Sequence, residues 1–201
     1  MNSCCKLGNE YQLKKNVLDE SENFFVVPAI GQMNIEGYVL LCSKKHSLGM
    51  GDIPQNHTAE LETILDKTKQ IISNTYNSDI LIFEHGPKLR CHKGGGCLDH
   101  SHLHIVPTSV DIMKFLQKIF KPEKIQNLNR LREIYEAQKS SYMFIETQDN
   151  TRYVIEVEFP IPSQYIRQII ASKMNITAWD WRINPDYDTF EKTIDTLKNK
   201  F

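Results

Sequence analysis

Residues 100–106 have the sequence His100-Ser101-His102-Leu103-His104-Ile105-Val106, with a histidine at every second position and two apolar residues at the end. Side chains two positions apart point to the same face of a β-strand. A strand over this segment therefore carries three imidazoles on one face and Ser101, Leu103 and Ile105 on the other. We expect an exposed histidine face that serves a functional site.

The histidine cluster has three interpretations. In the first interpretation the cluster has no function, but burying titratable rings side by side costs solvation free energy and brings like charges together on protonation. Shifted titratable groups concentrate at functional sites, which favours a use. The cluster could bind a metal ion. It could equally supply a nucleophile, because a histidine with its usual pKa of about 6.5 is mostly neutral at neutral pH.

A glycine-rich loop precedes the cluster. Gly94, Gly95 and Gly96 are consecutive, and Lys88, Arg90 and Lys93 make the loop locally basic. Glycines let a backbone approach a ligand closely, and successive N–H groups form anion-binding concavities. The loop is either a phosphate-binding segment or a plain surface loop.

Hydrophobic periodicity predicts the elements around the cluster. Strands are predicted over 24–28, 37–42, 80–83 and 100–107, with a helix over 58–73. Further along, Ser109 is predicted to cap a helix that stops near Pro122, and a second helix carries Ile125 and Leu128 on its inner face. A hairpin of 142–146 with 153–159 and two helices, 163–174 and one around 187–197, complete the pattern. The mixture predicts an α+β fold with an antiparallel sheet, flanking helices and a C-terminal α/β extension.

Composition excludes several classes of protein. The 201 residues are 40% hydrophobic, which excludes a disordered chain. The 24 basic and 25 acidic residues give a net charge of -1, so no dedicated nucleic-acid surface is expected. No apolar run approaches the ~18 residues of a membrane helix. The polar N-terminus and five cysteines indicate reduced thiols and a cytoplasmic location.

The segment 100–106 resembles the signature of the histidine triad (HIT) superfamily, histidine-x-histidine-x-histidine followed by two apolar residues. Its neighbours also resemble the family, in the same order. Residues 37–46 resemble a strand that ends in a lysine and a histidine, 83–86 resemble the segment before the glycine-rich loop, and 95–99 stand at the phosphate-contacting turn. The resemblance covers about 16–107, which we expect to form a HIT-like nucleotide-binding core, with 108–201 packed on it as the extension.

The resemblance implies a protein that binds a nucleotide or nucleotide conjugate and usually forms a homodimer. It implies a nucleotide phosphohydrolase or nucleotidyltransferase that acts at the α-phosphate through a covalent nucleotidyl-histidine intermediate. By position, His102 is the nucleophile, His104 contacts the phosphate and His100 supports the ring of His102. The nucleotide- and phosphate-binding positions are His46, Glu84, Gly95, Gly96 and Cys97. Ser101 and Cys97 depart from the family pattern, in which an apolar residue and a serine or threonine are usual.

Zinc is an open alternative, and no cofactor is assigned firmly. One structural zinc set is His85, Cys91, His92 and Cys97, although its spacing fits no standard zinc site. Another joins Cys4 or Cys5 to His46 and His100. A catalytic zinc on the three triad histidines would make the protein a zinc-dependent hydrolase. A non-catalytic nucleotide- or metal-binding module is a further alternative.

Overall fold

The computed structural model describes residues 14–90 and 100–201, and every structural statement below concerns these residues. They form eight strands, five α-helices and three short 3₁₀ turns. In chain order these are 3₁₀ Lys14–Asn16, β1 (Asp19–Glu20), β2 (Phe24–Pro28), β3 (Val39–Ser43), 3₁₀ Met50–Asp52, 3₁₀ Gln55–His57, α1 (Thr58–Tyr76), β4 (Ile80–Gly86), β5 (His102–Pro107), α2 (Met113–Leu116), β6 (Glu123–Ile125), α3 (Leu128–Ala137), β7 (Ser141–Glu146), β8 (Arg152–Val157), α4 (Tyr165–Lys173) and α5 (Tyr187–Leu197).

One eight-stranded antiparallel sheet runs through both halves of the chain. Its strand order is β1-β2-β3-β5-β4-β7-β8-β6. The strand β5 lies between β3 and β4, and β7 joins the other edge of β4. The C-terminal half therefore continues the sheet of the N-terminal half.

Both faces of this sheet are covered. On one face, which we call the α1 face, Leu103 and Ile105 of β5 share a core with residues of α1 and α3. On the other, the histidine face, Val106 shares a core with residues of α2, α4 and α5. The triad side chains of β5 lie on the same side as Val106, because alternate residues of a strand share a face.

The predicted α+β class, with an antiparallel sheet and flanking helices, is confirmed. The predicted hairpin of 142–146 with 153–159 is present as β7 and β8. The strand β4 extends three residues beyond the predicted 80–83, to Gly86. None of the described helices has the length and apolar character needed to cross a membrane.

Two predictions between β5 and β7 are wrong. Ser109 caps no helix, because α2 begins only at Met113 and its first N–H groups bond to the side chain of Asp111. Ile125 belongs to β6 rather than to a helix. The helix α3 begins after Asn127, whose side chain accepts the Arg130 N–H at 3.1 Å. This cap sets the start of the helix after Ile125.

Gly86 has no room for a side chain. A Cβ atom there would lie 2.1 Å from the ring of Tyr142. The ring is held in place, because its hydroxyl donates to Glu84 and accepts the Gly51 N–H at 2.9 Å. We expect Gly86→Ala to lower the free energy of unfolding by about 3 kcal/mol through overpacking, measured by urea unfolding. In a Tyr142→Leu background the same substitution should cost clearly less, and an equal cost in both backgrounds contradicts this explanation.

Candidate functional site

The central position of β5 fixes the backbone of the triad. Cα of His102 is paired with Cys42 of β3, and His104 is paired with both Leu40 of β3 and Phe83 of β4. A strand that is hydrogen-bonded on both sides holds its side-chain directions firmly. His104 is therefore held from both sides, whereas His102 is paired on the β3 side only and its backbone N–H donates to Glu84.

The histidine face is not solvent-exposed, so this part of the prediction is wrong. The side chains of His102 and His104 are each 5% exposed, and His85 on the neighbouring strand β4 is 6% exposed. The helix α4 lies over this face, where the Ile166 N–H points to Nε2 of His85 at 3.4 Å. Burial therefore comes from the C-terminal half of the chain.

His102 is held in one tautomer. Its Nδ1 lies 2.6 Å from the backbone carbonyl of His100. Because a carbonyl oxygen only accepts hydrogen bonds, Nδ1 must carry the proton and Nε2 must carry a lone pair. Burial lowers the pKa of His102, although the His100 carbonyl and the charge of Glu84 act in the opposite direction. The ring is thus a neutral imidazole with a nucleophilic Nε2.

His104 is packed between aromatic rings. Phe83 stacks on it at a centroid distance of 4.4 Å, and the His102 ring meets it at 4.7 Å and 67°. Its Nδ1 lies 2.6 Å from the hydroxyl of Tyr38. Burial holds the pKa of His104 well below the usual range, and neighbouring charges including that of Arg167 lower it further.

His100 and His46 form the end of the row that lies nearest to solvent. Nε2 of His100 lies 2.7 Å from the Ser43 carbonyl, which accepts a hydrogen bond from the Nε2–H group. Burial lowers the pKa of His100. The exposed ring of His46 meets the His100 ring edge-on at 5.5 Å. The predicted site residues His46, His100, His102 and His104 are therefore brought together in one row.

Glu84 lies on the α1 face, on the opposite side of the sheet from the His102 ring. Its carboxylate accepts the Met50 N–H at 2.9 Å and the Tyr142 hydroxyl at 2.5 Å. It also accepts a backbone hydrogen bond from His102. Glu84 thus ties the turn Met50–Asp52 to the start of β5. Its role in nucleotide binding stays a prediction.

Burial raises the pKa of Glu84 from 4.5 to about 7 in the folded protein. Between these two pH values the carboxyl is protonated in the folded chain and ionised in the unfolded one. Its contribution to stability is therefore present below pH 4.5 and is lost as the pH rises towards 7. Glutamine does not titrate, so Glu84→Gln lacks this pH-dependent loss. As the pH rises from 4.5 to about 7.5, we expect the free energy of unfolding of the variant to increase by about 3 kcal/mol relative to that of the wild type. Urea unfolding at both pH values measures it, and a constant difference between the two proteins contradicts it.

Several predicted site residues lie outside the described residues. These are the phosphate-binding candidates Gly95, Gly96 and Cys97, the zinc candidates Cys91 and His92, and Cys4 and Cys5. Of the first zinc set only His85 is described, buried on the histidine face. Within 14–90 and 100–201, no three His, Cys, Asp or Glu side chains are grouped as metal ligands. Zinc binding stays a prediction.

Sequence reasoning missed Tyr38 and Arg167. Tyr38 appeared only as a residue of a predicted strand, and its contact with His104 spans 66 positions of the chain. Arg167 is 2% exposed and lies in α4 among the buried residues Ile166, Ile169 and Ile170. A single charged residue on the apolar face of a helix was the available signal, because arginine is almost never fully buried without a partner.

Comparisons with known proteins find similarity in structure only. No protein-family model matches the chain, and no curated protein matches it. A Hit-like protein of Bartonella henselae involved in cell-cycle regulation aligns at 15% identity and a TM-score of 0.41, covering 62% of this chain and 89% of that one. A hypothetical histidine triad nucleotide-binding protein of Sulfolobus tokodaii aligns at 24% identity and a TM-score of 0.40, covering 63% of this chain and 85% of that one. A protein of Streptococcus mutans aligns at 22% identity and a TM-score of 0.44, covering 68% of this chain and 83% of that one. Because these values are low, we base the function on the contacts within the site.

Proposed function

We propose that this chain is a nucleotide-processing protein of the HIT superfamily that transfers a nucleotidyl group through a covalent bond to His102. The observation that supports this most directly is the 2.6 Å contact between His102 Nδ1 and the His100 carbonyl. It leaves the lone pair of Nε2 free for attack, within the sequence pattern that resembles the family signature. The ligand is a nucleotide or nucleotide conjugate.

The reaction follows from the tautomer of His102. Nε2 attacks the α-phosphorus, and the bond from phosphorus to the leaving group breaks, so that the leaving group departs with the bonding pair and takes up a proton from water. The imidazole becomes a nucleotidyl-imidazolium, whose Nδ1–H still donates to the His100 carbonyl. Water or another acceptor then attacks phosphorus, loses a proton and releases neutral His102. Transfer to water makes the protein a hydrolase, and transfer to another acceptor makes it a transferase.

The environment of His102 suits this step. Burial keeps the ring neutral, and hence nucleophilic, before attack. Once the ring carries positive charge, the His100 carbonyl and the nearby carboxyl of Glu84 stabilise it, since both favour the charged form. His104 lies at 4.7 Å, ring to ring, on the same strand. We assign it to the phosphate oxygens, with His100 and His46 towards solvent.

Trapping the intermediate tests the proposal. Purified protein is incubated with a panel of α-³²P-labelled nucleoside phosphoramidates, dinucleoside polyphosphates and nucleotide sugars, then denatured without acid, because phosphorus–nitrogen bonds to histidine are acid-labile. We expect a labelled protein band with at least one substrate. Peptide mapping should place the label on His102.

Two variants complete the experiment. His102→Gln should give no labelled protein, whereas the matched variant His57→Gln, in the turn before α1, should label like the wild type. Turnover without any trapped label, together with sensitivity to chelators, would support the zinc-dependent alternative. Binding without label or turnover across the whole panel would support a non-catalytic binding module. Either outcome overturns the covalent mechanism.

A further inference from the structure

We propose that Arg167 and Tyr38 act as a positioning pair that fixes the tautomer of His104, with its proton on Nε2. Arg167 belongs to α4 and Tyr38 immediately precedes β3, so the pair joins the C-terminal half of the chain to the triad. The catalytic consequence rests on the proposed function, whereas the tautomer itself does not.

Arg167 is buried and forms no salt bridge within the described residues, although its charge is among the causes that lower the pKa of Asp180. Its side chain is 2% exposed, and the ion pairs of the described part of the chain do not include it. The guanidinium donates to the carbonyls of Gly31 at 2.8 Å and of Trp179 at 2.7 Å. A buried cation is costly unless it is paired, so direct hydrogen bonds to neutral oxygens, with Asp180 acting only through its charge, are an unusual arrangement for it.

The remaining bond of Arg167 is directed at Tyr38. Nη1 donates to the Tyr38 hydroxyl oxygen at 3.1 Å, and the guanidinium carbon lies 5.4 Å from the centre of the Tyr38 ring. A guanidinium only donates hydrogen bonds. Arg167 therefore makes the Tyr38 oxygen an acceptor, which leaves the single hydroxyl hydrogen to be donated elsewhere.

His104 receives that hydrogen. Its Nδ1 lies 2.6 Å from the Tyr38 hydroxyl. An Nδ1 that accepts a hydrogen bond has no proton of its own, so the neutral ring must carry its proton on Nε2. The charge of Arg167 also opposes protonation of His104, as its effect on the pKa indicates. The pair thus selects the Nε2–H tautomer of His104 over the Nδ1–H tautomer and over the doubly protonated ring.

The two neighbouring triad rings consequently hold opposite tautomers. His102 has its proton on Nδ1 and a lone pair on Nε2, because of the His100 carbonyl. His104 has the reverse, because of Tyr38. Of two rings with centroids 4.7 Å apart, one is prepared to attack phosphorus and the other to donate to a phosphate oxygen. The opposite tautomer of His104 would offer a lone pair to that oxygen, which is repulsive.

Nitrogen NMR tests the tautomer directly. Long-range ¹H–¹⁵N spectra of histidine-labelled full-length protein distinguish protonated from unprotonated ring nitrogens, and the signals of His104 are those lost in His104→Gln. We expect a protonated Nε2 and an unprotonated Nδ1 in the wild type. In Tyr38→Phe and in Arg167→Met we expect a mixture of tautomers or the Nδ1–H form. Arg167→Lys, which keeps a donating cation, should restore the wild-type spectrum at least in part.

Tyr76→Phe is the matched control, since the Tyr76 hydroxyl donates to Glu36 and does not contact the triad. It should leave the His104 signals unchanged. Given turnover, kcat/KM should fall about 10- to 100-fold in Arg167→Met, by analogy with the loss of one transition-state donor, and recover in Arg167→Lys. A wild-type His104 protonated on Nδ1, or a tautomer that neither Tyr38→Phe nor Arg167→Met changes, overturns the proposal. Because the spectra need no substrate, they decide it even if the proposed function fails.

Discussion

Under the proposed function, the variant His102→Gly is expected to turn over a nucleotide substrate at least about 10⁴-fold more slowly than the wild type, as the loss of a catalytic nucleophile predicts. The substitution removes the whole side chain, including the bond from Nδ1 to the His100 carbonyl, and leaves the backbone. Because the backbone of residue 102 is paired with Cys42 of β3, the strand should persist in the variant. The loss of activity is therefore expected in kcat, together with a lower unfolding temperature, because removing a buried ring leaves a cavity beside His104.

Added imidazole makes this experiment specific. A small nucleophile that enters the space left by the ring should restore part of the turnover in His102→Gly. It should not restore turnover in His102→Gln, where the side chain fills that space. The control His57→Gly removes an imidazole outside the triad row and should keep full activity. Full activity of His102→Gly without imidazole would refute the assigned nucleophile.

In a Glu84→Gln background, which lacks the opposing titration of Glu84, acidification from pH 7 to pH 5 is expected to destabilise the folded protein by about 2 kcal/mol or more. Burial lowers the pKa of His85 from 6.5 to about 3, and it also lowers the pKa of His100, His102 and His104. Below pH 6.5 these histidines gain a proton in the unfolded chain but not in the folded one. Their stabilising contribution is thus complete above pH 6.5 and declines as the pH falls. His85 alone loses about 2 kcal/mol by pH 5.

Urea unfolding between pH 5 and pH 7.5 measures the effect. His85→Gln should reduce the slope of stability against pH, because one of the four buried imidazoles is gone. Ile155→Val is the control, since Ile155 is fully buried on the histidine face and does not titrate. It should lower stability by about 1 kcal/mol at every pH without changing the slope. A stability of the Glu84→Gln protein that is flat over this range would show that the rings are not held neutral, whereas in the wild type the titration of Glu84 offsets part of the change.

The local patterns of the sequence predicted much of the fold. Alternation identified β5 and β8, the turn residues 148–150 indicated β7 as the partner of β8, and helical spacing identified α1, because these signals depend only on residues close in the chain. The errors arose where short side chains decide the outcome. Asp111 and Asn127 cap α2 and α3, and their bonds shift each helix away from the position that hydrophobic spacing indicated.

The environment of the candidate site was much less predictable. The pattern brought His46 and the triad together, but it could not indicate that α4 covers the histidine face, because that contact joins His85 to Ile166. Nor does period-two spacing indicate tautomers, which depend on the His100 carbonyl and on Tyr38. Glu84 lies beyond the predicted end of its strand. Only the observed extension of β4 to Gly86 shows that the carboxylate of Glu84 faces away from the His102 ring.

The pairing of β4 with β7 has a consequence for biosynthesis. Ile82 pairs with Glu146, so β4 leaves the ribosome about 60 residues before its partner strand. Until then one side of a seven-residue strand whose residues are all buried in the folded protein is unpaired, and such an edge invites association with other chains. Nascent chains that stop before Ser141 should therefore recruit chaperones, and the sheet should close only late in translation.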